Sequence, residues 1–193
     1  MSRTYTATLA LSFGLFAAAG FGGASGKSPV IAAPSSAPSA AYAPAAAPVP
    51  ATYPNNYTYK SVCPKPSGGR YSSTDADKWN FWKCECVSYV AYKLNARGIP
   101  FNNGYGLPKG QRWSDASNWL NAAKTAKVKV DKSPTVGSVA TFTYGHVAFV
   151  EYVYKDGSID ISEYNYHTKP GYDFSVRTIS KKDFSKITGF IHF

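Results

Sequence analysis

His146-Val147-Ala148-Phe149-Val150-Glu151-Tyr152-Val153-Tyr154-Lys155-Asp156-Gly157-Ser158-Ile159-Asp160-Ile161-Ser162-Glu163-Tyr164-Asn165 reads as two strands joined by a tight turn. Asp156-Gly157 between two strand-like runs is a strong hairpin signal. With a two-residue turn, Lys155 pairs with Ser158. Counting back pairs Val150 with Glu163, Ala148 with Asn165 and His146 with His167. Cross-strand partners share a face, so His146, Glu163 and Asn165 are expected on one side of the sheet, with Val147, Phe149 and Val153 on the other. Asn165 becomes the diagonal neighbour of His146, about 7–8 Å away between backbones, and Glu163 lies one pair further off. A three-residue turn would flip the assignment.

Around this hairpin the chain supplies more strands and, before them, helices. Strand-like runs cover Gly137–Thr143, Gly145–Tyr154, Ser158–Asn165, Phe174–Ile179 and Ile187–Phe193. Upstream, Cys86 to Arg97 places Val87, Val90, Ala91 and Leu94 at helical spacing, and Gly98-Ile99-Pro100 stops the helix. A second helix is expected from Ser114 to Thr125, with Ser114 as its N-cap and Ala116, Trp119, Leu120 and Ala123 on one face. Helices first and an antiparallel sheet of about five strands after gives an α+β domain.

The N-terminal third has a different character. Arg3 is the one charge before Lys27, Leu9 to Ala24 is apolar, and small residues follow at Gly23-Ala24-Ser25-Gly26. Residues 1–26 therefore read as a signal peptide for export, short for a membrane span of about 20 apolar residues. Residues 27–56 are rich in Ala, Pro and Ser and read as a semi-extended linker. Residues 57–193 form the folded domain. Leaving out Arg3 and Lys27, 19 of the 21 basic residues stand against all 11 acidic ones here, a formal charge of +8. Such a charge attracts polyanions. On an exported protein this favours anionic cell-wall polymers as partners; no nucleic-acid motif is present, so no nucleic acid is expected. Membrane contact is expected only if the N-terminal segment stays uncleaved. The expected location is secreted, periplasmic or cell-wall associated.

Three cysteines in an exported chain suggest one disulfide and one free thiol. Cys84 and Cys86 are too close to pair comfortably, so Cys63 is expected to bond Cys84. A zinc site on all three is a poor match to ligand spacing. That leaves Cys86, at the start of a helix whose unpaired N–H groups and partial positive charge favour a thiolate. A thiol, then an imidazole (His146), then a carboxylate or amide (Glu163, Asn165) are the parts of a thiol hydrolase. Each alone has a plainer reading: a buried structural cysteine, a solvated strand residue, a strand-end hydrogen bonder. His167 and His192 are taken as incidental.

Four stretches together, Cys84-Glu85-Cys86-Val87-Ser88-Tyr89-Val90-Ala91-Tyr92-Lys93-Leu94, Pro134-Thr135-Val136-Gly137-Ser138-Val139-Ala140, Gly145-His146-Val147-Ala148-Phe149-Val150-Glu151 and Ile161-Ser162-Glu163-Tyr164-Asn165, resemble the CHAP family of cysteine, histidine-dependent amidohydrolases/peptidases. The resemblance implies a papain-like fold and cleavage of amide bonds in peptidoglycan. It makes Cys86 the nucleophile, His146 the general base and then acid, and Glu163 the residue that orients the histidine, with Asn165 in support. The backbone N–H of Cys86 would contribute to an oxyanion hole, and Asn80 is a candidate side-chain donor to it. Trp82, Trp113 and Trp119 are candidates for a groove, although buried aromatics are commoner. Some relatives bind calcium upstream of the cysteine; Asp75-Ala76-Asp77 lacks the full acidic loop, so no metal and no cofactor is expected. The expected activity is that of an exported peptidoglycan hydrolase working through a cysteine acyl-enzyme. Whether as an N-acetylmuramoyl-L-alanine amidase or an endopeptidase stays open. The rival is a non-catalytic wall-binding or structural protein that keeps the fold; the joint presence of Cys86, His146, Glu163 and Asn165 argues against it.

Overall fold

Helix α1 spans Cys86–Ala96, and Val87, Val90, Ala91 and Leu94 are buried along it as one apolar face requires. Gly98 at φ +82 turns the chain out of the helix, and the N–H groups of Arg97, Gly98 and Ile99 return to the carbonyls of Leu94 and Asn95. These elements come from a computed structural model that describes residues 53–63, 75–167 and 171–193. The expected signal segment lies outside the described residues, as does the expected linker up to residue 52. Residues 53–56, placed in the linker by sequence, lie against the domain: Tyr53 Oη donates to Asp160 Oδ2 at 3.3 Å, and Asn55 Nδ2 to Tyr164 Oη at 2.8 Å.

The second helix is shorter than its periodicity predicts. Ser114 sits at φ +56 with its N–H on Asn103 Oδ1, so it caps nothing. A 3₁₀ turn over Ala116–Asn118 follows, and helix α2 covers Trp119–Thr125. Trp113 and Trp119 are fully buried, and their indole N–H groups reach the carbonyls of Tyr105 and Ser114. Both tryptophans belong to the core rather than to a groove.

Six strands form one sheet: β1 (Lys129–Asp131), β2 (Val139–Phe142), β3 (His146–Val153), β4 (Ile159–Tyr164), β5 (Phe174–Ile179) and β6 (Ile187–His192). Their order is β1-β6-β2-β3-β4-β5, with every pair antiparallel. The five expected strands are present, and β1 is the addition. One face, carrying Val139, Val147, Phe149 and Ile191, packs with the buried side of α1 and the tryptophans. The other carries Ala140, Ala148, Val150, Ile161 and Phe190. Removing a fully buried side chain here, such as Leu94 to Ala, costs about 2–5 kcal/mol. The result is an α+β domain with helices packed on an antiparallel sheet, as a papain-like fold requires.

The hairpin register differs from the simple count in two places. The loop is the three-residue Lys155-Asp156-Gly157, closed by Tyr154 N–H to Ser158 O at 2.8 Å and Gly157 N–H to Tyr154 O at 2.9 Å, with Gly157 at φ +85. Val153 therefore faces Ile159, one step off the expected pairing. The ladder shifts again between Val150 and Tyr152, so Val150 faces Ile161 and Phe149 faces Ser162. Two single steps restore the parity. His146 and Glu163 stay on one face, and continuing the ladder sets Glu163 opposite Ala148, diagonal to His146. The same count would set Asn165 opposite His146, but β4 ends at Tyr164 and Asn165 turns away at φ +56, so Glu163 is the strand residue left beside the histidine, where the two-residue turn had favoured Asn165.

Candidate active site

Cys86 is the first residue of α1, and Glu85 before it is extended, with no side-chain cap on the helix. The first-turn N–H groups accordingly lie open around a buried free thiol. The approach to Cys86 is braced from several sides. Cys63 and Cys84 form the expected disulfide, with Cα atoms 5.6 Å apart. Asp77 Oδ1 accepts the N–H groups of Trp79 (2.8 Å) and Phe81 (2.9 Å), while Oδ2 accepts the Ser88 hydroxyl. Ser88 also meets Tyr57 Oη at 2.6 Å, and Tyr57 Oη accepts Cys84 N–H at 2.9 Å. Burial pushes the Asp77 carboxyl up, against the pull of these hydrogen bonds. Asp77 is a buried organiser of this turn.

His146 opens β3 and is buried; Glu163, on β4, is completely buried. Nε2 of the histidine lies 2.9 Å from Glu163 Oε2. That fixes the ring and leaves Nδ1 for exchange with the Cys86 thiol. Burial works against the charged ring, but its hydrogen bonds with Cys86 and Glu163 prevail, and the pKa of His146 rises to about 9. Glu163 is held in turn from β5. Arg177 donates Nε to Oε1 at 2.5 Å and Nη2 to Oε2 at 3.0 Å, and Ser175 Oγ donates to Oε1 at 3.1 Å. Burial would raise the Glu163 carboxyl; the hydrogen bonds from His146 and Arg177 hold it below its ordinary range. A buried carboxylate with four donors is a fixed negative charge behind the imidazole.

Ser175 and Arg177 escaped the sequence reading. The signal was there once β5 is paired: Glu163 faces Ser175 and Ile161 faces Arg177, which puts both on the Glu163 face.

Asn165 has another task. At φ +56 it leaves the strand, accepts Tyr172 N–H on Oδ1 at 2.8 Å, and donates Nδ2 to Glu85 Oε2 at 2.8 Å. It thus ties the end of β4 to the residue before Cys86 and makes no hydrogen bond with His146 itself. Asn80 lies exposed on a turn at φ +66, its carbonyl taken by Asn103 Nδ2, and is not part of the wall around the thiol. His167 and His192 pair with Asp173 and Asp131, apart from the thiol.

Trp82, Glu85, Cys86, Val87, Asp115, Ala116 and Gly145 line a cleft of about 620 Å³. Trp82 is 46% exposed, so of the three tryptophans considered this one reaches the groove. A thiol at a helix start, an imidazole within proton-transfer reach and a buried carboxylate behind it can attack a carbonyl and protonate the group that leaves.

Residues 75–165 match the family model described as the CHAP domain. Among curated proteins of Staphylococcus aureus, the chain is 37% identical over 110 residues to Probable autolysin LDP, covering 55% of this chain and 37% of that protein. It is 44% identical over 124 residues to Staphylococcal secretory antigen ssaA2, covering 62% of this chain and 42% of that protein. The match thus spans well under half the length of either relative. A solved structure, an N-acetylmuramoyl-L-alanine amidase from Staphylococcus aureus, is similar at 28% identity and a TM-score of 0.45, covering 65% of this chain and 37% of that one. Cys86, His146 and Glu163 all fall inside the matched stretch, and over residues 75–165 the chain is similar to the CHAP domain.

Proposed function

We propose that this protein is an exported peptidoglycan hydrolase that cleaves an amide bond of the cell wall through a Cys86 acyl-enzyme. The observation that carries the reading is the buried 2.9 Å pair of His146 and Glu163 set beside a free thiol at the start of α1. The family match and the similarity to an autolysin and a secretory antigen support the substrate and the location outside the cell.

In the first step His146 Nδ1 takes the thiol proton, and Sγ of Cys86 adds to the amide carbonyl. Charge builds on the carbonyl oxygen, where the backbone N–H of Cys86 stabilises it. The C–N bond breaks as the imidazolium gives its proton to the departing nitrogen, leaving a thioester on Cys86. Water, deprotonated by His146, then releases the acid and restores the thiol. Glu163 keeps its charge throughout, holding the ring and stabilising the imidazolium. Asn165 acts at one remove, by positioning Glu85 and so the first turn of α1. Anionic wall polymers are a second partner class, drawn by the +8 charge of residues 57–193.

The test uses the full chain and Cys86→Ala on purified peptidoglycan, with the new amino termini identified by mass spectrometry. Soluble fragments from the wild type alone are expected. A new N-terminal L-alanine marks an amidase, and any other terminus an endopeptidase. Sedimentation of both proteins with the wall and release by neither would establish a binding protein instead.

A further inference from the structure

Beside the cleft over Cys86 lies a second cavity, of about 710 Å³, whose wall includes Tyr144, Tyr166, His167, Arg177, Asp183 and Lys186. The two adjoin at the turn before β3, where Gly145 lines the first and Tyr144 the second. The rings of Tyr144 and Tyr166 lie 6.0 and 5.8 Å from that of His146. Arg177 binds these rings together: its guanidinium lies 3.6 Å from the Tyr166 centroid, and Nη2 reaches Tyr144 Oη at 3.5 Å. Tyr144 is nevertheless 48% exposed, so the frame presents an open aromatic face.

The two limbs differ in charge. Glu85 and Asp115 are the ionisable residues beside Cys86 in the first. The second holds Arg177 and Lys186 against Asp183. Arg177 is committed to Glu163, and His167 is paired with Asp173. Lys186 is exposed, and none of the ion pairs among the described residues includes it. It is the cation available to a ligand.

Proton chemistry gives the cavity its direction. His146 delivers a proton to the departing nitrogen, so the departing half lies against the imidazole while the thiol keeps the acyl half. The rings that flank the imidazole open into the second cavity.

We propose that this second cavity is the leaving-group subsite and that it selects an amine product bearing a carboxylate, with Lys186 pairing that carboxylate and Tyr144 and Tyr166 packing the chain between. The assignment rests on the hydrolase reading and deepens it. On a wall substrate the stem peptide, which carries carboxylates of its own, would supply the departing half, whether it leaves muramic acid or is cut within.

The experiment takes the bond identified in the wall digest and compares two soluble substrates that share the acyl half. One leaves as an amine with a free carboxylate, the other as its carboxamide. One charge-assisted contact at an exposed site predicts about fivefold higher kcat/KM for the carboxylate in the wild type. In Lys186→Gln the ratio falls to about one, and in Lys186→Arg it is retained, because both carry the charge. Equal rates for the two substrates in the wild type, or a preference that survives Lys186→Gln, would overturn the subsite while leaving the hydrolase standing. Failure of the wild type to cut either substrate or the wall would remove both.

Discussion

The two walls of the cleft over Cys86 are held by different means. The histidine wall is a sheet: His146, Glu163, Ser175 and Arg177 come from three neighbouring strands, and the ladder sets their spacing before any side chain interacts. The thiol wall is a loop running into α1. It is held by a disulfide at Cys84, by the Asp77 turn and Tyr57, and by the reach of Asn165 to Glu85. The contrast shows where each kind of precision originates. Regular pairing positions the imidazole and its buried counter-charge, whereas a covalent tie and a few side-chain bonds position the thiol. Disturbing the first should change the chemistry, and disturbing the second should mainly change stability.

The largest effect is expected at Glu163. Glu163→Ala removes a completely buried carboxylate and strands Arg177 and the His146 ring, at a cost of about 3–5 kcal/mol in chemical denaturation. In the fraction that stays folded, kcat should fall by roughly 10³–10⁴-fold. A loss below tenfold would mean that the sheet wall does not orient the base. Next comes the disulfide. Cys63→Ser joined with Cys84→Ser opens a loop with a sequence separation of 21, worth about 3 kcal/mol. Activity per folded molecule should hold within a few-fold, and an unchanged denaturation midpoint would sink the bracing role. The smallest change is expected from Asn165→Ala, which loses two hydrogen bonds and puts Cβ-bearing alanine at φ +56. It should cost about 1–2 kcal/mol. Because Asn165 touches Glu85 and not the imidazole, the pH profile of kcat should keep its midpoints; a moved midpoint would return Asn165 to the histidine.

Stability should follow pH in a defined direction. The raised pKa of His146 means that the charged ring supports the fold fully below its ordinary 6.5, and that this support is lost as pH climbs through about 9. Glu163, held low, contributes above its ordinary 4.5, and its contribution fades as the carboxyl is protonated in acid.

Much of this was legible in the sequence, for reasons specific to each element. The period of Val87, Val90, Ala91 and Leu94 gives α1, and the alternation after Gly137 gives five of the six strands. The face shared by His146 and Glu163 survived two misplaced steps because side chains alternate with period two. The partner of His146 did not survive, because Asn165 leaves the strand at φ +56 and spends its amide on Glu85 and Tyr172. Lys129-Val130-Asp131 is too short and polar to register as a strand and exists through its pairing with β6. Ser114 looks like an N-cap until a tertiary bond to Asn103 holds it at positive φ. Arg177 was hidden because it meets Glu163 through the β4–β5 pairing, which no short turn signal announces in the sequence.

The central claim is that Glu163, and not Asn165, orients and charges His146. Its most direct test is NMR titration of the His146 imidazole in the wild type, Glu163→Gln and Asn165→Ala. The account predicts a midpoint of about 9 in the wild type and in Asn165→Ala, and a fall toward 6.5 in Glu163→Gln. A midpoint that falls in Asn165→Ala and stays in place in Glu163→Gln would contradict it.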